Sequence, residues 1–339
     1  MRSRDLSFAW GCVLLLAGCS HDRLRPETAQ CAVDANQEKA LWYMGNASNV
    51  RSGALVFTKL QDDKSMIEVW RGCNQTQRKT VALTVSNVGH LAVSESGRYA
   101  VASGSAAGVE VVDLESGKAI AHVPDGLGPG LFSPDERFVL FNTWGAGVRI
   151  FRVGIDEITP MANYKTLGSV YAMSADYPFK RLAIGDVEGK IQLLDIRETA
   201  AGLELINPRV IDEGNRARIS GFGFSPTSDA LYVLSGDGRL TVWDVKSGAK
   251  RHSWKTGLKW VGSVTFLRGT PRAVVFGTVE PSGLAGPLGI VIDTESGRTR
   301  SFVTRQNYLW GAYIPRSDEL FVTGFWQKPY LEKDISVIP

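Results

Sequence analysis

The chain has few of the side chains that bind metal ions. Among its 339 residues there are only four histidines. His21 lies in the N-terminal tether, and His90, His122 and His252 have no second histidine or cysteine at metal-ligand spacing nearby. A metal site is therefore not expected, and we predict that the protein uses no cofactor.

The sequence also lacks the motifs of common catalytic centres. It contains no Gly-x-Ser-x-Gly nucleophile elbow, and the glycine-rich segment 126–130 lies between two predicted strands, so it does not form a phosphate-binding loop. The segment 221–225, with sequence GFGFS, is typical of an inner strand in which glycines relieve crowding. We predict that the protein is not an enzyme.

The chain has neither a large excess of charge of one sign nor helical periodicity. The chain has 38 Lys and Arg against 35 Asp and Glu, a net charge of +3. This balance disfavours nucleic-acid binding. After residue 30 no stretch longer than about ten residues shows a 3.6-residue period, which argues against α/β folds.

The one long apolar run lies near the N-terminus. Arg2 and Arg4 precede the segment 10–18, which suits the core of an export signal but is too short to span a bilayer. It ends in Leu-Ala-Gly followed by Cys19, which resembles the lipobox of bacterial lipoproteins. The resemblance implies a signal peptide over 1–18 and a lipid on Cys19. An ordinary signal peptide with a chance cysteine is the alternative.

The residues after Cys19 predict a tether and a location. Ser20 follows the cysteine where an Asp would signal retention, so the resemblance implies a lipid anchor on the periplasmic face of the outer membrane. Residues 19–30 are polar and without periodicity, which indicates a tether, and the folded domain is expected over 31–339. Cys31 and Cys73 then remain in an oxidising compartment, either as a disulfide or as two free thiols.

A unit of about 40 to 50 residues is repeated seven times. Each unit has a short apolar, β-branched run, then a second strand about ten residues later. The first runs are at 55–57, 99–101, 138–140, 182–184, 231–233, 273–275 and 320–322. The second strands are at 67–70, 109–111, 148–150, 191–193, 240–242, 290–292 and 335–337. Residues 198–207 and 280–287 are expected to be loops.

Several units end in a turn of one type. Asp113, Asp244 and Asp293 each open a turn that contains Ser-Gly, where Asp bonds the backbone and Gly supplies positive φ. Trp243-Asp244 is the Trp-Asp dipeptide, and the period is that of a β-propeller, so the chain resembles a degenerate WD40-like (YVTN/WD-type) protein. The resemblance implies an all-β, seven-bladed propeller with four-stranded blades.

Closure of the ring implies a role for the two cysteines. The last unit leaves no sequence for a fourth strand, so we expect a segment around Cys31 to pair on the outside of the final blade, as in family members that fasten the ring with both chain ends. Cys73 would then lie next to Cys31, and a disulfide would join the closing strand to the ring.

One face of such a propeller concentrates residues typical of binding sites. It carries the loops from the outer strand of one blade to the inner strand of the next and the loops between second and third strands. Large aromatic and cationic side chains are enriched at binding hot spots. The candidates are His90, Trp144, Tyr164, Lys165, Arg216, Arg218, Lys259, Trp260, Tyr308, Trp310, Trp326 and Lys328.

The candidates predict a monomeric scaffold that binds a protein partner in the cell envelope. An acidic peptide segment, a loop of an outer-membrane protein and an anionic glycan all suit an aromatic and basic rim. Two alternatives stay open. One is a propeller enzyme of the lactonase or quinoprotein type, and the other is a glycan- or cell-wall-binding protein.

Overall fold

A computed structural model describes most of the chain after residue 41. The described residues are 42–48, 55–61, 64–71, 77–104, 108–143, 147–214, 216–267, 270–280, 287–304, 309–314, 319–324 and 327–332. Cys19, Cys31 and Cys73 lie outside them, so the predicted lipidation, disulfide and closing strand do too.

Six four-stranded antiparallel blades follow one another along the chain. Blade 1 comprises β1 (Trp42–Ser48), β2 (Leu55–Gln61), β3 (Lys64–Arg71) and β4 (Gln77–Ala82). Blade 2 comprises β5 (Val88–Val93), β6 (Tyr99–Gly104), β7 (Val109–Asp113) and β8 (Lys118–Val123). Blade 3 comprises β9 (Gly126–Phe132), β10 (Phe138–Thr143), β11 (Gly147–Val153) and β12 (Ile158–Tyr164).

Blades 4 to 6 have the same strand order. Blade 4 comprises β13 (Val170–Ala175), β14 (Arg181–Asp186), β15 (Lys190–Thr199) and β16 (Gly202–Asp212). Blade 5 comprises β17 (Ile219–Phe224), β18 (Ala230–Ser235), β19 (Arg239–Asp244) and β20 (Lys250–Lys255). Blade 6 comprises β21 (Trp260–Leu267), β22 (Arg272–Thr278), β23 (Pro287–Asp293) and β24 (Thr299–Val303). A C-terminal sheet has three strands, β25 (Leu309–Ile314), β26 (Glu319–Gly324) and β27 (Gln327–Glu332).

The sheets form a β-propeller. The first strand of each blade packs beside the first strand of the next blade, and β1 packs against β25, β26 and β27. We call the end of the axis where these inner strands begin the top face, and the end where they finish the bottom face. The first strand of the described chain thus belongs to blade 1 and pairs with β2.

The prediction of seven four-stranded blades is wrong. Six sheets have four strands, and the C-terminal sheet has three among the described residues. The sequence count rested on the second and third strands, which are buried on both faces and therefore apolar. Outer strands leave no such pattern, because one such as β20 is exposed along almost its whole length.

The second strand predicted for the last unit, which would be the third strand of its blade, was also misplaced. It is β27, Gln327–Glu332, rather than 335–337, which lie outside the described residues. Pro329 falls where the pairing of β26 with β27 shifts register, between Val322 and Gly324. Proline has no N–H for the ladder and occurs in strands at such bulges. Because Pro329 interrupts the alternating pattern by which strands are recognised in a sequence, β27 was not predicted.

Residues 198–207 form a hairpin where a loop was expected. The ladder of β15 and β16 continues to the pair Thr199 and Gly202, with Glu198 opposite Leu203. Ile196 and Leu203 are buried in the apolar layer between blades 3 and 4. Tertiary packing of these side chains, which local sequence does not reveal, stabilises the extension.

The core consists of apolar layers between successive sheets. Tyr99 and Val101 of blade 2 pack with Phe141 and Phe151 of blade 3, and the two phenylalanine rings stack at 4.7 Å. Because layers lie on both sides of each blade, middle strands such as β10 are buried along their whole length. This explains why the apolar runs of the sequence, such as 138–140 in β10, recur so regularly.

The turns and glycines play the roles expected of them. Asp113 Oδ1 accepts from the N–H groups of Glu115 and Ser116, and Asp293 Oδ1 accepts in the same way from those of Glu295 and Ser296 within its turn. On β17, a Cβ on Gly223 would lie 2.3 Å from the ring of Phe266 in the next blade. The prediction that glycines relieve crowding on an inner strand is confirmed.

Candidate functional site

The structure brings one predicted pair of top-face residues together with a third residue. The guanidinium carbon of Arg218 lies 4.8 Å from the ring centroid of Tyr171 and 5.7 Å from that of Trp260. Both rings are within the range of cation–π attraction. Tyr171 lies on β13 of blade 4, Arg218 in the loop before β17 of blade 5, and Trp260 at the start of β21 of blade 6. We call these three side chains the aromatic–arginine cluster.

Backbone irregularities at the start of the inner strands aim these side chains. The pairing of β13 shifts register between Val170 and Ala172, so Tyr171 occupies a β-bulge. A second bulge on β21 contains Gly262, where a Cβ would lie 2.7 Å from the six-membered ring of Trp260. Glycine at this position therefore leaves space for the indole.

Arg218 is fixed in place by its neighbours. Its Nη2 donates a hydrogen bond of 2.8 Å to the carbonyl of Val261, the residue after Trp260. Its aliphatic stem lies against Gly236, where a Cβ would come within 2.9 Å of Arg218 Cγ. The guanidinium is only partly buried, so the cluster presents a positioned cation to solvent.

Three further predicted cations lie in loops of the same face. Lys165, Arg216 and Lys259 are exposed, and no ion pair joins them to any residue in the described ranges. Arg216 has φ +52°, in the left-handed region that costs an L residue about 1 kcal/mol. The loop before β17 thus holds Arg216 in a strained conformation.

Several acidic side chains of the same face are already paired. Asp125 binds Arg149 at 2.9 Å, Glu188 lies 3.6 Å from Lys190, and Asp237 lies 3.9 Å from Arg239. These carboxylates lie close to cations of their own blade or of the blade they adjoin. Asp186, Asp212 and Glu280 of the same face have no such ion pair among the described residues, so only part of the negative charge of this face is compensated.

Two other predicted residues contribute shape more than charge. Burial lowers the pKa of His90, so its imidazole is neutral at neutral pH. Tyr164 is half-buried, its hydroxyl donates to Gln192 Oε1 at 3.2 Å, and burial raises its pKa. Neither adds positive charge to the face.

The remaining predicted residues are not placed. Trp144, Tyr308 and Trp326 lie outside the described residues. Trp310 and Lys328 lie on described strands, β25 and β27, and only the register of Trp310, opposite Thr323, is described.

A buried carboxylate anchors the loop that carries Arg216 and Arg218. The Glu213 side chain is fully buried and accepts hydrogen bonds from Trp243 Nε1 at 2.6 Å and from Thr241 Oγ1 at 3.1 Å. Lys250 Nζ lies 3.9 Å away and above the Trp243 ring. Glu213 therefore joins the start of this loop to the middle of blade 5.

Tyr171 and Glu213 were missed by the sequence argument. Tyr171 looks like one more alternating strand residue, and only the bulge turns it toward Arg218. The one sequence feature that points to Glu213 is Trp243. A buried indole N–H requires a hydrogen-bond acceptor, and the loop before blade 5 offers few acceptor side chains.

The described part of the chain shows neither a metal cluster nor a membrane-spanning helix. No three His, Cys, Asp or Glu side chains among the described residues group in a way that would hold a metal ion. In the same residues there is no helix with the length and apolar character needed to cross a bilayer. The chain matches no protein-family model, and no curated protein sequence is significantly similar to it.

Proposed function

We propose that this protein is a lipid-anchored β-propeller of the bacterial envelope that binds an acidic segment of a protein partner on its top face. The observation that carries the proposal is that Arg218 lies within cation–π range of both Tyr171 and Trp260, bonds to the carbonyl of Val261 and is only partly buried. A planar, positioned guanidinium is well suited to bind carboxylates, often through two parallel hydrogen bonds.

The surrounding charges support the same class of partner. Lys165, Arg216 and Lys259 would add long-range attraction for an acidic chain, and three carboxylates of the same face, those of Asp125, Glu188 and Asp237, lie close to cations of their own. The large aromatic rings would supply apolar contact area at the centre of the interface.

The location and ancestry in this proposal rest on the sequence. The lipobox-like residues before Cys19 support a lipid anchor at the periplasmic face of the outer membrane. The repeat length and the Trp243-Asp244 dipeptide support a distant relation to WD40-like propellers. In this chain the indole N–H of Trp243 donates to the buried carboxylate of Glu213.

Charge reversal on the top face provides the test. We expect the full chain to bind labelled poly-L-glutamate and not poly-L-lysine, with an affinity that falls as salt rises. The triple variant Lys165→Glu, Arg216→Glu, Lys259→Glu should bind poly-L-glutamate at least tenfold more weakly, measured by fluorescence anisotropy.

A second triple variant provides the control. Lys118, Lys180 and Lys246 are exposed on the bottom face, and their replacement by glutamate changes the net charge by the same amount. This variant should bind within about twofold of the unchanged protein. Equal loss in the two triple variants would mean that net charge, not the top face, governs binding.

A further inference from the structure

A cavity opens at the opposite end of the axis, on the bottom face. It has a volume of about 410 Å³ and is lined by the ends of β5, β9, β13, β17 and β21 and the turns after the first four of these strands. Aromatic side chains make up much of its wall: Phe132, Tyr177, Phe179, Phe222, Phe224 and Phe266. No predicted binding residue lies in it.

One wall position differs between blades. The residue after the inner strand is serine in blades 2, 3 and 5, and each serine hydroxyl accepts from the N–H five residues later. In blades 3 and 5 the same hydroxyl, on Ser133 and Ser225, also donates to a nearby carboxylate, Asp135 or Asp229. The serines thus cap their turns.

Blade 4 has Asp176 at this position. Its Oδ1 accepts from the N–H of Arg181 at 2.9 Å and of Lys180 at 2.7 Å, so it caps the turn as the serines do. The second oxygen, Oδ2, has no hydrogen-bond partner among the described residues, although Asp176 is only 3% exposed. A buried carboxylate oxygen without a partner is costly, and turn formation does not require it.

The contrast with blade 5 is chemical. There, hydrogen bonds from Thr227 and Ser225, together with one from Arg251, lower the pKa of Asp229 to about 2. That carboxylate is fully supplied with donors by its own chain. Among the described residues Asp176 has donors for Oδ1 only, and Oδ2 has none.

The charge of the wall has one sign. Asp176 and Glu95 are acidic, and the described residues that line the cavity include no Lys, Arg or His. Aromatic faces attract cations, and a carboxylate accepts strong hydrogen bonds from an ammonium group. A volume of 410 Å³ lies within the range of about 300–1,000 Å³ typical of small-molecule sites.

From these observations we infer that the bottom cavity is a binding site for a small organic amine, in which the ammonium group donates to Asp176 Oδ2 and an apolar body packs among the aromatic side chains. The site lies at the other end of the axis from the aromatic–arginine cluster and has the opposite charge. It therefore neither requires nor excludes the function proposed for the top face.

Titration calorimetry with paired compounds tests the site. The probes are 2-phenylethylamine, tryptamine and hexylamine, each paired with the alcohol that replaces its amino group, added to the full chain at neutral pH. We expect at least one amine to bind, and its alcohol to bind at least tenfold more weakly. Absence of binding by all three amines, or equal binding of amines and alcohols, overturns the inference.

Substitution of Asp176 assigns the contact. Asp176→Ser restores the residue of the other blades and keeps the turn hydrogen bond, so the melting temperature should stay the same or rise while amine affinity falls at least tenfold. Asp176→Asn should weaken amine binding similarly. Asp156→Asn, an exposed carboxylate on the bottom face outside the cavity, should bind as the unchanged protein does. Amine binding that survives Asp176→Ser in a folded protein contradicts the inference.

Discussion

Replacing Arg218 by alanine is expected to weaken binding of an acidic probe by about 30- to 150-fold. Central arginine and aromatic residues of an interface each contribute about 2–3 kcal/mol when truncated, which corresponds to this range. The effect should exceed that of any single rim cation, because Arg218 alone among them lies within cation–π range of the rings of Tyr171 and Trp260.

Arg218→Lys separates charge from geometry. Lysine keeps the positive charge but has no planar group to stack between two rings or to bind carboxylates through two parallel bonds. We therefore expect most of the loss to persist in this variant, as measured by anisotropy with poly-L-glutamate. Near-complete recovery of probe binding with lysine would mean that Arg218 acts only through its positive charge.

A second arginine gives a matched control. Arg209 also joins two blades, with its Nη1 donating to the carbonyls of Val245 and Lys246, but it lies on the outer strand β16. Arg209→Ala should lower the free energy of unfolding by about 1 kcal/mol, as expected for a hydrogen bond, and leave probe binding unchanged.

Replacing Glu213 by alanine is expected to lower the free energy of unfolding by about 3–5 kcal/mol. The substitution leaves the Trp243 indole N–H and the Thr241 hydroxyl buried without their acceptor and opens a cavity. Removing one member of a buried, charged hydrogen-bond network has an effect of this order. Urea denaturation monitored by tryptophan fluorescence measures it.

Glu188 provides the comparison for Glu213. It lies in a top-face loop of blade 4, its side chain is 70% exposed, and its contact with Lys190 is 3.6 Å long. Glu188→Ala should change the unfolding free energy by no more than about 0.5 kcal/mol, as surface ion pairs usually do. A loss below 1 kcal/mol for Glu213→Ala would contradict the role assigned to Glu213.

The strands that could be predicted are those with strong apolar patterns. Second strands such as β10 and β18 are buried on both faces, so their sequences are continuous apolar runs that repeat at the blade period. The outer strands and the hairpin extension of β15 and β16 depend on packing between blades. For this reason the blade count and the segment 198–207 were predicted wrongly.

The functional residues divide in a similar way. Arg218 and Trp260 could be proposed because loop position and residue type were enough to select them. Tyr171 could not, because its orientation comes from a bulge, a property of strand pairing. Asp176 left a trace in the sequence, since aligning the turns places it opposite Ser94, Ser133 and Ser225. Its importance appears only when the hydrogen bonds of both oxygens are counted.

Site-specific photocrosslinking in the intact cell envelope tests the central claim most directly. A photoreactive residue is placed at position 216 or 259 on the top face, and at 156 or 246 on the bottom face as controls. The account predicts a protein adduct from the top positions alone, with crosslinked peptides rich in Asp and Glu, lost in the Arg218→Ala background. Adducts from the bottom positions alone, or top-face adducts that are unaffected by Arg218→Ala, would contradict it.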